Sequence, residues 1–190
     1  MKTKKIAGLG LLTAIVIVLQ ALAVIIRPAG GIFSISLVLV PIVVGASIYG
    51  WKAGAGLGLV FGVVVLINDA TAFLSINAAG TFATVLVKGI MCGLIAGLVW
   101  KALSTVNIWV ATIAAAIVAP IVNTGIFLIG CKLFFMEGIT GWAAAAGYAD
   151  AGTYMILGLV GINFLIEMAI NIILSSVIVK IIHIYRGSEV

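Results

Sequence analysis

The chain has 190 residues, of which 65% are hydrophobic and 8% are charged, and its net charge is +5. A soluble domain carries about 25% charged residues, and a globule of this size could not bury so much apolar surface, so a soluble enzyme is excluded. The cations are scattered near the ends of apolar runs and form no basic stripe with aromatic residues, which excludes a nucleic-acid partner. We therefore expect a single membrane domain over residues 1–190 that contacts mainly the lipid bilayer.

Six long apolar runs predict an all-α membrane protein, a bundle of six transmembrane helices of ~20 residues each. The first run, 6–26, is longer than the ~7–15 apolar residues of a signal peptide, so it is predicted to be a retained helix. The other helices are predicted at residues 35–49, 53–67, 81–100, 108–130 and 154–182. Loops are predicted at 68–80 and 132–152.

The distribution of lysine and arginine predicts the orientation, because these residues concentrate in cytoplasmic loops. With the N-terminus inside, seven cations fall on the cytoplasmic side and two fall outside. The inner set is Lys2, Lys4, Lys5, Lys52, Lys101, Lys180 and Arg186, and the outer set is Arg27 and Lys132. We expect both termini to be cytoplasmic and the protein to span a bacterial inner membrane several times.

Small residues follow helical spacing in three of the predicted helices. The glycines of helices three and four share one face of each helix: Gly50, Gly54, Gly58 and Gly62, then Gly89, Gly93 and Gly97. Small residues let helix backbones approach closely, so these faces either pack against each other or form a sliding or docking surface, and we favour packing. In the first helix, Ala7, Gly10 and Ala14 form a similar small-residue face.

Two ionisable residues fall inside predicted membrane helices, where they are costly and usually functional. Lys88 lies about seven residues from the outer end of helix four, roughly 10 Å deep, and Glu167 lies in helix six. Asn123, Thr124 and Asn163 are predicted at similar depth on helices five and six. Two interpretations stay open: a ligand pocket facing outward, which we favour, or a buried ion pair between Lys88 and Glu167.

The two predicted outer loops would form walls or lids over such a pocket. They contribute Asn68 and Asp69 from the first loop, and Trp142 and Tyr148 from the second. A mostly apolar cavity with a few convergent polar groups is the usual form of a small-molecule site. The spacing of the cysteines matches no metal site, so neither a metal ion nor a cofactor is expected.

Four segments that occur in order along the chain are typical of one family. They are Lys4-Lys5-Ile6-Ala7 through Ala14, Ser34-Ile-Ser-Leu-Val-Leu-Val-Pro41-Ile, the glycine-rich segment from Gly50 to Gly62, and Pro120-Ile-Val-Asn123-Thr124. Together they resemble the substrate-binding S components of energy-coupling factor (ECF) vitamin transporters, in length, helix number and order of motifs. The resemblance covers nearly the whole chain.

The resemblance implies that the protein captures a vitamin-like micronutrient outside the cell with high affinity. It also implies association with a transmembrane coupling subunit and two cytoplasmic ATPases, and toppling in the bilayer would release the substrate inside. Ala7, Gly10 and Ala14 would face the coupling subunit. Lys88 would suit a carboxylate-bearing ligand such as pantothenate, nicotinate or lipoate. The chain has no phosphate-binding Gly-x-x-x-x-Gly-Lys-[Ser/Thr] loop, so ATP hydrolysis would come from the partners.

The main alternative is a proton-coupled secondary transporter of a small molecule, acting as a homodimer with Glu167 as the proton relay. This chain has no clear inverted repeat, so a second copy would have to supply the other half of the transporter. An intramembrane enzyme is disfavoured, because no Ser/His, paired-Asp or His-rich constellation occurs in the spans. A purely structural membrane subunit is the remaining alternative.

Overall fold

The computed structural model describes residues 2–25 and 37–187, and every regular element within them is helical. The helices are α1 Lys2–Ile25, α2 Leu39–Tyr49, α3 Trp51–Asn68, α4 Thr71–Leu74, α5 Ala78–Leu103, α6 Ile108–Phe134, α7 Met136–Ala145, α8 Ala151–Thr153, a π-helical segment Tyr154–Val160, and α9 Gly161–Gly187. Five stretches of the described chain are long and apolar enough to cross a membrane: Thr3–Ile25, Trp51–Asn68, Ala78–Leu103, Ile108–Phe134 and Ala151–Tyr185. The expected fold class, an all-α membrane protein, is therefore confirmed.

The second predicted helix is shorter than the other five. Within the described residues it is α2, which has 11 residues and a length of about 16 Å, against ~30 Å for the hydrocarbon core of a bilayer. The start of the predicted run, residues 35 and 36, lies outside the described residues. Leu39, Ile42 and Val43 are fully buried, so α2 packs as a core element inside the bundle.

Two of the predicted loops contain more helix than expected. The α5 helix begins at Ala78 because the Asn77 side chain accepts a hydrogen bond from the Gly80 N–H at 2.8 Å and caps it. The predicted loop 132–152 is wrong, because α6 continues to Phe134 and α7 follows almost directly. The α7 helix forms despite its two glycines, since Ile139 and Ala143 bury one face of it.

The glycine faces of α3 and α5 pack against each other, which confirms the packing interpretation. A Cβ atom added at Gly58 would overlap the backbone of Gly89, and one added at Gly93 would overlap the backbone of Gly54. At the end of this interface, a Cβ atom at Gly97 would lie 2.6 Å from Cα of Trp51. Only glycine permits this approach, which brings the α3 and α5 backbones into direct contact.

The last transmembrane stretch is not a uniform helix, although the sequence predicts one over 154–182. It begins where the Asp150 side chain caps α8, accepting hydrogen bonds from Thr153 Oγ1 at 2.6 Å and from the Thr153 N–H at 2.8 Å. These bonds lower the pKa of Asp150. The π-helical segment follows and ends at Gly161, whose φ of 33° is positive and therefore suits glycine.

Candidate functional site

A cavity lies at the end of the bundle where α3 and α6 end and α5 begins. The space between its walls is about 840 Å³, a volume that includes space open to solvent. Its walls are mostly apolar and aromatic: Phe61, Val65, Ala70, Phe73, Val85, Phe127, Phe135, Leu159, Val160 and Phe164. Its polar lining is Gln20, Asp69, Thr81, Thr84, Lys88, Asn123, Thr124, Asn163 and Glu167.

Most of the site residues predicted from the sequence line this one cavity. They come from four parts of the chain: Asp69 follows α3, Lys88 is on α5, Asn123 and Thr124 are on α6, and Asn163 and Glu167 are on α9. Lys88, Asn123 and Glu167 are buried, with 9%, 8% and 7% of their surface exposed. Three separate helices therefore bring one cation, one anion and an amide to the same space.

Three predicted residues do not line the cavity. Asn68 is exposed at the last turn of α3. The Trp142 ring packs edge-on against Phe73 with 5.2 Å between centroids, and the Tyr148 ring packs against Tyr154 at 5.1 Å. Because Phe73 lines the cavity, the Trp142 ring on α7 supports the cavity wall from behind.

Lys88 lies deeper than the sequence predicts. Because α5 begins at Ala78, Lys88 is ten residues, or about 15 Å, from its start and near the middle of the helix. Its ammonium nitrogen lies 5.5 Å from the centre of the Phe61 ring and 5.4 Å from that of Phe127. Aromatic faces attract a cation by about 2 kcal/mol or more when it is desolvated, so the two rings help to keep a charged group in the bundle.

Glu167 is the anionic counterpart in the cavity. Its side chain is buried and lines the same cavity as Lys88, and its backbone carbonyl accepts a hydrogen bond from Asn171 Nδ2 at 2.7 Å. Both charged residues line the same space, so an ion pair and a ligand pocket are compatible interpretations. In the described ranges 2–25 and 37–187, no cluster of three or more His, Cys, Asp or Glu side chains could hold a metal ion.

Several residues that line the cavity were not predicted from the sequence. Thr84 is one turn before Lys88 on α5, and Thr81 and Gln20 also bring buried polar groups to the cavity. The spacing of Thr84 and Lys88 was the available signal, since residues at i and i+4 share a helix face. The aromatic walls gave no signal, because an apolar side chain within an apolar run does not show whether it faces lipid or a cavity.

The small-residue face of α1 is on the surface of the bundle. Ala7, Gly10 and Ala14 are exposed, and a Cβ atom added at Gly10 would meet no other atom within 4 Å. By contrast, a Cβ atom at the neighbouring Gly8 would overlap the Tyr49 side chain. The predicted docking face is therefore free within the described chain.

Comparison with known proteins agrees with these features. The family model described as "ECF transporter, substrate-specific component" matches residues 4–181. No curated protein and no solved structure gives a significant match to the chain. Because the family model spans nearly the whole sequence, including every helix that lines the cavity, the chain belongs to the family of substrate-specific components of ECF transporters.

Proposed function

We propose that this protein is the membrane-embedded, high-affinity binding subunit for uptake of a vitamin or related micronutrient, which it delivers to an ATP-driven ECF complex. The observation that carries the proposal is the aromatic-walled cavity, into which Lys88, Asn123 and Glu167 converge. A mostly apolar cavity with a few fixed polar groups is the usual design of a small-molecule site. The family membership supports the proposed partners, which are a coupling subunit and two ATPases.

We also propose six transmembrane segments in a bacterial inner membrane, with both termini cytoplasmic and the cavity facing outward; the second segment is the predicted run 35–49, which contains the short helix α2. The distribution of charge supports this orientation. Lys52 follows Trp51 at the start of α3, and Lys101 lies at the end of α5, so both are at the end of the bundle opposite the cavity. Lysine and arginine concentrate on the cytoplasmic side, so the cavity end would be external.

Replacing Gly10 by leucine tests the proposed docking face on α1. We expect ATP-driven uptake to fall at least tenfold, because a leucine side chain would keep a partner helix from close approach, while ligand affinity of the isolated protein is unchanged. The matched control is Gly125→Leu on α6, where an added Cβ atom also meets nothing within 4 Å. Equal loss of uptake in both variants, or loss of binding in stable Gly10→Leu protein, would contradict the docking role.

The energy source separates the proposed function from the secondary-transporter alternative, which the buried Glu167 favours. We expect uptake in cells to require the ATPase partners and to survive collapse of the proton gradient when ATP is maintained. The measurement is uptake of the ligand that co-purifies with the protein, with and without a protonophore. Uptake by the purified protein alone in liposomes, driven by a pH gradient, would overturn the proposal.

A further inference from the structure

A groove lies at the end of the bundle opposite the cavity, where α1 and α3 begin. Its lining includes Lys5 and Leu9 of α1, Tyr49 at the end of α2, and Trp51 and Lys52 at the start of α3. The space between its walls is about 640 Å³, a volume that includes space open to solvent. Both lysines are exposed, so two separate helices bring two cations to one site on the surface.

Lys5 lies on the side of α1 that packs onto the bundle. Val16 and Gln20 of the same helix are buried, and the spacing of residues 5, 9, 16 and 20 keeps all four on one side of a helix. This side of α1 packs against α2 and α3. Lys5 therefore stands beside the start of α3, where Lys52 lines the same groove.

The charge of the groove is not balanced by the chain. None of the carboxylates within residues 2–25 and 37–187 lines it. These carboxylates lie at the other end of the bundle or in the cavity: Asp69 follows α3, Glu137 is in the first turn of α7, Asp150 caps α8, and Glu167 lines the cavity. Two ammonium groups at one site repel each other, so the groove favours an anion that contacts both.

The aromatic walls of the groove are characteristic of the level of lipid headgroups. The Lys52 ammonium lies 5.3 Å from the centre of the Trp51 ring. The Tyr49 ring is held by Tyr185, with 5.4 Å between ring centroids, and a Cβ atom added at Gly8 would overlap the Tyr49 side chain. Tryptophan and tyrosine concentrate where the membrane meets water, so the anion would be met at the membrane surface.

An exposed apolar stripe runs along α3 from Lys52. Gly56, Leu59 and Val63 follow Lys52 at i+4, i+7 and i+11, which places them on the same side of the helix. Leu59 and Val63 are each 42% exposed, and a Cβ atom added at Gly56 would meet nothing within 4 Å. A molecule with an anionic head and an apolar tail therefore matches this surface better than a free anion does.

We propose that the groove binds the phosphate headgroup of an anionic phospholipid such as phosphatidylglycerol. The phosphate accepts hydrogen bonds from the Lys5 and Lys52 ammonium groups, and the acyl chains lie along the apolar stripe of α3. Basic pockets between transmembrane helices are a known form of site for acidic lipid headgroups. A lipid bound in this way holds the start of α1 against α3.

The first test compares three probes on the whole protein in detergent, with binding measured by native mass spectrometry. The probes are phosphatidylglycerol, the zwitterionic phosphatidylcholine, and glycerol 3-phosphate, which is a soluble phosphate without a tail. We expect phosphatidylglycerol to bind about tenfold or more tightly than either of the others. Equal binding of phosphatidylcholine would overturn the role of charge, and equal binding of glycerol 3-phosphate would make this a site for soluble phosphate and overturn the lipid assignment.

The second test removes the two lysines together. We expect the double variant Lys5→Gln, Lys52→Gln to bind phosphatidylglycerol about tenfold or more weakly, because two hydrogen bonds to a charged group are lost. The matched control is Lys4→Gln with Lys101→Gln, which removes the same charge from exposed lysines at the same end of the bundle that do not line the groove.

The control should keep its affinity within about twofold at physiological salt, where attraction between distant charges is screened. Equal losses in the two double variants would mean that the lipid follows the general charge of this end of the bundle, and would overturn the site. All four lysines are exposed, so both variants should fold, and their melting temperatures check this. The result does not depend on the proposed function, because neither variant alters the cavity.

Discussion

Lys88→Met is expected to weaken the binding of an acidic ligand by about ten- to a hundredfold, because a hydrogen bond to a charged group contributes about 1.5–3 kcal/mol. Methionine keeps the length and apolar bulk of the lysine chain, so it should still fill the space between Phe61 and Phe127. The measurement is calorimetric affinity of the purified variant, with its melting temperature as the check on folding. Unchanged affinity in a folded Lys88→Met protein would remove Lys88 from the binding site.

Glu167→Gln distinguishes the two roles that the carboxylate could have beside Lys88. If Glu167 only balances the lysine charge, its loss removes a repulsion on the ligand, and affinity for an acid holds or rises. If Glu167 contacts the ligand directly, affinity falls. The buried carboxylate lines the same cavity as Lys88, so we expect the first result. A fall in affinity for every acid tested would contradict it.

Gly58→Ala is expected to destabilise the bundle by about 3 kcal/mol, since overpacking a close contact costs about 1–3 kcal/mol and here the new methyl group meets the Gly89 backbone. A loss of this size lowers the melting temperature by roughly 6–12 °C. Ligand affinity should fall as well, because separating α3 from α5 moves Phe61 away from Lys88. Melting temperature and affinity of the purified variant are the two measurements.

Gly56→Ala is the matched control for this substitution. It introduces the same methyl group into the same helix, at an exposed position where an added Cβ atom meets nothing within 4 Å. Alanine is a better helix former than glycine, so Gly56→Ala should leave the melting temperature unchanged or raise it slightly. Equal destabilisation by the two substitutions would contradict the close packing of α3 on α5.

The boundaries of the elements show where sequence patterns are insufficient. Apolar runs locate the long helices because lipid leaves a membrane backbone few alternatives to helix. They do not identify α7, which contains Gly138 and Gly141 and forms because Ile139 and Ala143 are buried against neighbouring elements. The π-helical segment also has no local signature, since its residues are as apolar as those of the helix that follows.

The candidate site, like the fold, is only partly predictable from the sequence. Lys88, Asn123 and Glu167 are identifiable from the sequence alone, because a charged or strongly polar residue inside an apolar run is costly unless it is functional or paired. Thr84 and the aromatic walls were not identified, since a threonine or an apolar side chain within such a run does not show whether it faces lipid or a cavity. Their position in a predicted loop makes Trp142 and Tyr148 candidate walls or lids of the pocket, but their rings pack against Phe73 and Tyr154, and neither side chain lines the cavity.

The sequence by itself determined the membrane environment, the long helices and the rare polar residues within them, because each follows from local composition and the cost of burying charge in lipid. The tertiary structure alone decided that these residues meet in one cavity. That outcome depends on the α3–α5 glycine contact, which sets how close Phe61 comes to Lys88, and on the level at which each helix begins. Both concern the relative positions of segments that are far apart in the chain, and no local pattern encodes those positions.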